Sequence, residues 1–588
     1  MSFKTKLLGS ASAMLLIGAA SGTAFADESV QNGWEFEKMD PGHVTIYQKV
    51  EGNNEGPDTT DDGSRRVNTI DGDYSNGMTG LSKDQQNNGH NNAMGVTTNV
   101  ILNTAGPGDD DLAQNLWIKG KSRNGNYIDD PANSPEPDNA VRTNLISNAY
   151  QDVQGVVDVQ QNNGDGNVLG IGNAVSANLG AEPFGQNGQD HNDTSQKVRV
   201  SGRVDNNHST DANYLDGSSP FVVRGERLNT VDGDAFQNFL GLSSVQQNNG
   251  NGNVIQAGTA VIADIGTAED DVEDSNAEEA SLWVQADGKV KNSSANSSSA
   301  PGPSLPPPDR ENTITSAFTG SVKGIVNVQQ NNGDNNSMNV ANGVRVTHST
   351  FDDIDDVHAN NVWAIGKVKD NVATDSHQNR NNAIDGGSFA GAAGMFTVQQ
   401  NNGDNNAMNS ANGVVAAFFA GKLSSEDVMA GAGAKAKVKG NTATVTQNTD
   451  RMNTINEGAF NDATGIATVQ QNNGDNNVIN AAKAIVVTVG GEGHTGFNGN
   501  IMADTALTAT VTGNTVVVPY TSVPPGYENV LTNSFQGFKG IKTVQQNNGN
   551  NNAIQSSVTV VGNLGQTGPG QPPVIPPVIP PIGGETGS

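Results

Sequence analysis

The block Gln-Gln-Asn-Asn-Gly begins at Gln85, Gln160, Gln246, Gln329, Gln399, Gln470 and Gln545, at spacings of 75, 86, 83, 70, 71 and 75 residues. A carboxamide both donates and accepts hydrogen bonds, so like amides set one above another can bond in a continuous row. The chemistry on offer is recognition of its own kind, not the making or breaking of covalent bonds. Other reactive residue types give little. There is no Cys, which removes disulfides, thiolate ligands and thiol nucleophiles together. The eight His residues are scattered, and none falls in a His-Glu-x-x-His pattern. Seven similar units offer no unique set of nucleophile, base and oxyanion donors, so the chain reads as no enzyme and calls for no cofactor. Acidic runs at 269–274 and 352–356 supply oxygen ligands of the kind Ca²⁺ takes. Neither an EF-hand loop nor a Gly-Gly-x-Gly-x-Asp repeat accompanies them, so solvated charge is the reading taken and Ca²⁺ binding stays open. Trp34, Trp117, Trp283 and Trp363 could stack on sugars, but three stand in short strand-like runs, where packing is the commoner use.

The amides must be positioned by whatever recurs around them. Five residues before each first Gln stands a Gly (Gly80, Gly155, Gly241, Gly324, Gly394, Gly465, Gly540), followed at once by an apolar residue. Val precedes the Gln pair in six units, and the first unit carries Asp84 instead, which reads as an atypical terminal cap. The seventh residue after the first Gln is always Asn, as in Asn336, Asn406, Asn477 and Asn552. Upstream, an Asn such as Asn312 or Asn453 precedes an aromatic: Tyr74, Tyr150, Phe236, Phe318, Phe389, Phe460 or Phe535. The pattern predicts strand, turn, strand, because β-branched residues flank an Asn/Gly stretch that tolerates positive φ. Apolar residues four and one before the Gln have opposite parity, which predicts a bend or bulge between them. Each linker adds a strand-like run, such as Leu116-Trp117-Ile118 or Val362-Trp363-Ala364, between acidic or Ser/Pro-rich stretches such as 297–301 that read as loops.

Composition fits repetition better than ordinary cores. Of 588 residues 34% are hydrophobic and 71 are Gly, against about 45–50% apolar in globular chains. The net charge of −30 repels phosphate backbones, so no nucleic-acid partner is expected. Residues 1–26 read as a signal peptide, with Lys4 and Lys6 before an apolar stretch and Ala24-Phe25-Ala26 at its end. A segment at 27–65 follows, then repeat units at 66–140, 141–226, 227–309, 310–379, 380–450, 451–526 and 527–563, and a Pro/Gly-rich tail at 564–588. A unit this poor in bulk cannot bury a face alone, whereas stacked copies cover one another. The expected fold is all-β: seven imperfect repeats stacked as a β-solenoid-like cross-β array with flexible linkers. Its ladder residues would be Gln160, Gln161, Gln246, Gln247, Gln329, Gln330, Asn336, Gln399, Gln400, Asn406, Gln470, Gln471, Asn477, Gln545, Gln546 and Asn552.

Gly-Asp-Asn-Asn-x-x-Asn-x-Ala, at 333–341, 403–411 and 474–482, resembles the repeats of Fap-type functional amyloid subunits, and Gly-x-x-Asn-x-apolar in all seven units is similar to the curlin repeat. The resemblance implies a secreted subunit that polymerises with itself into extracellular fibres of a biofilm matrix or cell surface. It also implies a nucleator subunit and an outer-membrane export pore as partners. The chain lacks the Cys-x-x-Cys common in Fap-type subunits. The alternative is a non-polymerising β-solenoid adhesin at the cell surface that binds Ca²⁺ or carbohydrate.

Overall fold

The computed structural model describes residues 43–564, except 52–53, 56–65, 73, 104–111, 130–140, 181–193, 214–225, 267–278, 300–308, 350–356, 377–378, 420–426, 446–449, 490–500 and 519–525. The expected signal peptide at 1–26, Trp34, both acidic runs and the tail beyond Leu564 therefore lie outside the described residues. The described chain is all-β: thirty-five strands form five parallel sheets of seven strands each. Every coil contributes one strand to each sheet. In the fourth coil these are Glu279–Lys291 in what we call the outer sheet, Ser294–Ser299 in the short sheet and Asp309–Thr315 in the Asn sheet. Lys323–Asn331 in the Gln sheet and Ser337–Ser349 in the inner sheet complete the coil. Counterparts pair in register from coil to coil, so that Gln246, Gln329 and Gln399 lie side by side.

A coil thus starts with the run the sequence places in the linkers. The first such strand is His43–Glu51, which pairs with Leu112–Arg123. It belongs to the segment at 27–65, so all seven coils possess one. The run at 297–299 is not loop: it ends the strand Ser294–Ser299, which pairs with Val372–Ser376.

The layers nest. The Gln and inner strands form an arch whose two legs face each other through Ile325, Val344 and their counterparts. The Asn sheet closes over one side of the arch, packing Ile314, Val326, Val328 and the Phe318 column together. The outer sheet closes over the other side through Val284, Val362, Ala341 and Ala411. Both legs of the arch are consequently buried on both faces, and this explains the parity of the Gln strand. Ile325 turns to the inner sheet and Val328 to the Asn sheet, along a strand whose pairing runs unbroken from Lys323 to Asn331. The expected bulge is absent, because a strand sandwiched between two apolar layers needs apolar residues of both parities.

The invariant Gly at the head of that strand has a steric cause. Gly394 adopts φ +146°, and a Cβ there would lie 1.9 Å from the carbonyl oxygen of Gly324 in the coil before. Only Gly tolerates both the dihedral and the approach. The arch turn is equally constrained: five residues separate the Gln and inner strands in every coil, as at 332–336 and 548–552. Asn335, Asn405 and Asn476 hold its left-handed position at φ +57° to +59°, and Gly166 and Gly252 take it in the second and third coils. Length variation is confined to other corners: thirteen residues (181–193) join the second coil to the third, and seven (350–356) join the fourth to the fifth.

Candidate self-assembly ladder and its open ends

In the in-register sheet each Gln of the pair meets its own kind. The first Gln column runs Gln85, Gln160, Gln246, Gln329, Gln399, Gln470, Gln545, each Nε2 donating to the next Oε1 at 2.8–2.9 Å. The second column runs the other way. Gln546 donates to Gln471, Gln471 to Gln400, Gln400 to Gln330, Gln330 to Gln247, Gln247 to Gln161 and Gln161 to Gln86, at 2.7–2.9 Å. Adjacent residues point to opposite faces of the strand, and the two columns carry opposite donor direction. From the second coil to the sixth the Gln side chains are fully buried.

Three further rows stand beside the Gln pair: two come from the block's own Asn residues, to which the like-over-like reading applies, and one from an Asn that the sequence does not single out as a ladder residue. The third and fourth residues of the block also form columns, as in Asn401 to Asn331 at 2.8 Å and Asn332 to Asn402 at 3.1 Å. The upstream Asn of the Asn sheet makes another, with Asn312 donating to Asn382 and Asn382 to Asn453 at 2.9 Å. Asn336, Asn406, Asn477 and Asn552 play a different part: they clamp backbone rather than one another's amides. Asn336 Oδ1 accepts from the Asn406 N–H at 2.7 Å, while its Nδ2 donates to the Gly403 carbonyl at 3.0 Å and to Asn331 Oδ1 at 3.1 Å. Asn at this position supplies a donor and an acceptor on one short side chain, and both are used.

A buried ionic column lies beside the Asn sheet. Arg66, Arg142, Arg227, Arg310, Arg380 and Arg451 occupy one register position, with Tyr527 completing the column. Each of the middle guanidiniums reaches the arch turn: Arg380 bonds the Asn402 carbonyl and Asp404 at 2.7 Å each, and pairs with Asp334 and Asp375 at 3.3 and 3.2 Å. Burial raises the Asp165 carboxyl, but Arg142, Arg227 and His90 outweigh it and hold the group well below the usual carboxylate range. The last coil drops both partners at once, with Tyr527 for Arg and Asn550 for Asp, and the Arg451 guanidinium lies 5.2 Å from the Tyr527 ring centroid. A signal was present: Arg two residues before the upstream Asn, six times in seven.

Two departures from the repeat are mutually explained. Asp84, in the Val position of the first coil, accepts from Tyr150 at 2.6 Å, from Ser82 at 2.7 Å and from Tyr74 at 3.1 Å. The first two coils are the ones with Tyr rather than Phe in the aromatic column. That column is otherwise a stack of parallel rings, Phe236 to Phe318 at 4.4 Å and Phe460 to Phe535 at 4.9 Å between centroids. Inside the arch, Asp158 accepts from Asn173 at 2.7 and 2.9 Å, and burial pushes its carboxyl up to about 7 against the pull of Lys83. Lys483, in the same layer, donates to the Ala467 carbonyl at 2.6 Å and to Thr468 Oγ1 at 2.5 Å, and burial lowers its ammonium to about 7.

Among the described residues nothing pairs with the outer edge of the first or last coil, so every sheet ends in unpaired strand edges. Tyr74 is 47% exposed at one end, and Val544 is 41% exposed at the other. Among the described residues no group of three or more His, Asp and Glu could hold a metal ion. No family model, no curated protein and no solved structure matches this chain.

Proposed function

We propose that the chain is an exported structural subunit that polymerises end to end into extracellular amyloid-like fibres, as its resemblance to Fap-type and curlin repeats implies. The observation that carries this reading is the shared polarity of the columns. Across six successive interfaces the first Gln column donates towards the C-terminal coil and the second towards the N-terminal coil. Gln545 Nε2 of one molecule and Gln85 Oε1 of the next are therefore donor and acceptor of the same missing bond, and Gln86 Nε2 and Gln546 Oε1 are another. Phe535 and Tyr74 bring the two ends of the aromatic column together. A head-to-tail joint thus repeats the internal interface, whereas a head-to-head joint sets donor on donor. Such a heterologous contact does not close and extends as a filament.

The reading is tested by Gly80→Ala. Within one molecule a Cβ on Gly80 meets nothing within 4 Å, so that only the dihedral strain of an L residue at φ +145° burdens the free chain. In a joint that repeats the internal interface it would run into the Gly540 carbonyl of the preceding molecule, as a Cβ on Gly155 runs into Gly80 at 1.8 Å. Purified wild-type chain should form fibres with a meridional reflection at about 4.7–4.8 Å. Gly80→Ala chain, shown to be folded by circular dichroism, should stay monomeric and, in small amounts, cap one end of wild-type fibres. Wild-type fibre growth by a folded Gly80→Ala chain would remove the end-to-end reading.

A further inference from the structure

The solvent face of the outer sheet concentrates cations in a chain whose net charge is −30. The register stacks Lys49, Lys121, Arg203, Lys289, Lys367 and Lys437 in one column. Strand neighbours alternate between buried and solvent-facing, so these side chains share the outer surface. Six rungs at about 4.8 Å make a ridge on the order of 24 Å long. Lys291, Lys369 and Lys439 follow two positions along on the same face. Acids on the face are few: Glu51 pairs with Lys49 and with Arg123, Asp205 pairs with Arg203, Lys369 pairs with Asp370 in the turn that follows it, Asp287 lies among Lys289, Lys367 and Arg199, and Asp504 is exposed in the last coil. Lys289 is held below the usual lysine range, by burial first and then by Arg203, Lys291 and Lys367. Like charges are therefore stacked here at a cost that the fold does not require, since Thr510 occupies the same column in the last coil.

Indole rings stand on the same face, contrary to the packing role their strands suggest. Trp117 is 39% exposed, and Trp283 and Trp363 are half-buried. Trp363 lies over the neighbouring strand, so that a Cβ on Gly433 would fall 2.3 Å from its ring. Lys197 Nζ sits 5.0 Å from the Trp283 centroid and 5.9 Å from that of Trp117. Amides flank the rings: Asn361 accepts from Trp363 Nε1 at 2.5 Å, and Gln285 shares the register of Trp363.

We propose that this face binds an extended acidic polysaccharide lying along the stack, with carboxylates on the lysine ridge and sugar rings on the tryptophans. Flat rings, amides and spaced cations are the groups that recognise ring C–H faces, hydroxyls and carboxylates respectively. Charge spacing separates this ligand from nucleic acid. One cation per rung, about 4.8 Å apart, suits a chain with one carboxylate per sugar, whereas a DNA strand carries a charge every ~3.4 Å of axis and a duplex one every ~1.7 Å. The proposal needs only the folded coil stack and is independent of polymerisation.

The test uses the chain from Asp27, with polygalacturonate, neutral dextran and oligo-dT as probes, in titration calorimetry at low and moderate salt. Wild-type protein should bind polygalacturonate in a salt-sensitive manner, ignore dextran and bind oligo-dT at least tenfold more weakly. The variant Lys121→Gln/Lys289→Gln/Lys367→Gln/Lys437→Gln, with unchanged circular dichroism and melting, should lose tenfold or more in affinity. Trp363→Leu should weaken binding severalfold while leaving its salt dependence unchanged. Equal affinity in the fourfold variant, tighter binding of oligo-dT, or no binding by wild type would overturn the proposal. It would equally fall if polygalacturonate bound only after Glu269, Asp270, Asp271, Glu273 and Asp274 were neutralised, since the chain's own acidic segment would then be the occupant.

Discussion

Replacing Gln399 by Glu changes one atom and puts the ladder under a titratable load. Gln399 is fully buried; its Oε1 accepts from Gln329 at 2.9 Å and its Nε2 donates to Gln470 Oε1 at 2.8 Å. An ionised Glu would set a carboxylate oxygen against the Gln470 oxygen with no counter-ion, an unpaired buried charge of the kind that costs several kcal/mol. A protonated Glu instead donates to Gln470 Oε1 and restores the row. Holding that proton at pH 7 against a reference pKa near 4.3 costs about 1.36 × 2.7, or roughly 3.7 kcal/mol. The folded-state pKa is raised, so the folded state binds more protons and the variant's stability falls as pH rises from about 4.3 towards the folded value. The difference from wild type should be about 3.7 kcal/mol at pH 7 and about 1 kcal/mol at pH 5. Urea unfolding followed by circular dichroism, wild type against variant at both values, measures it. A difference that ignores pH, or stays within about 0.5 kcal/mol at pH 7 as surface substitutions do, would mean that Gln399 faces water and that the buried row is wrong.

Lys483→Met should stabilise the chain below pH 10. The depressed ammonium of Lys483 makes wild-type stability fall as pH drops from about 10.4 towards 7, by on the order of 4–5 kcal/mol, and the variant's melting profile should lose that slope. Arg451→Tyr alone should cost about 3–5 kcal/mol by leaving Asp475 uncompensated and stripping Asp404 of one of its two arginines. Adding Asp475→Asn, which copies the last coil's Tyr527 and Asn550, should recover part of the loss in a double-mutant cycle. Gly394→Ala should split the stack at one interface, because its Cβ would overlap the Gly324 carbonyl; limited proteolysis should then cut between the fourth and fifth coils, where wild type resists.

Periodicity made the stack legible because sequence identity at fixed offsets is what an in-register sheet demands. The Gln pair, the head Gly and the aromatic column all fall where the offsets put them. What stayed hidden is layer order. Parity tells which residues share a face, but not that both faces of the Gln strand are covered, and so Ile325 and Val328 read as a bulge. Arg310 does not stand out in the sequence because a charged residue in a polar segment reads as solvated, and only the arch turn folding back from 24 residues away supplies Asp334. Residues 297–301 include no β-branched residue and therefore read as loop; the strand character of Ser294–Ser299 comes from neighbours above and below. The open face of the outer sheet could not be read at all, since alternation says that Trp117 and Trp363 face away from Val362 without saying which side is water.

The covalent joining of seven rungs changes what nucleation means for a fibre of this kind. In an indefinite stack of such molecules, six of every seven rung-to-rung interfaces form within one chain, and only the seventh waits on an encounter. The entropy of bringing rungs together is met by coil-to-coil connections of seven to thirteen residues, whose effective concentration is on the order of millimolar for short tethers, rather than by the concentration of protein. The critical nucleus of a conventional cross-β aggregate is a rare cluster of several molecules. Here a single folded chain already is that cluster, complete with edges, columns and polarity. Growth should consequently start without a concentration-dependent lag, and the slow event should be the first-order folding of each chain. For a chain that polymerises as proposed, the onset of fibres would be set by when the chain is allowed to fold, rather than by how much of it accumulates.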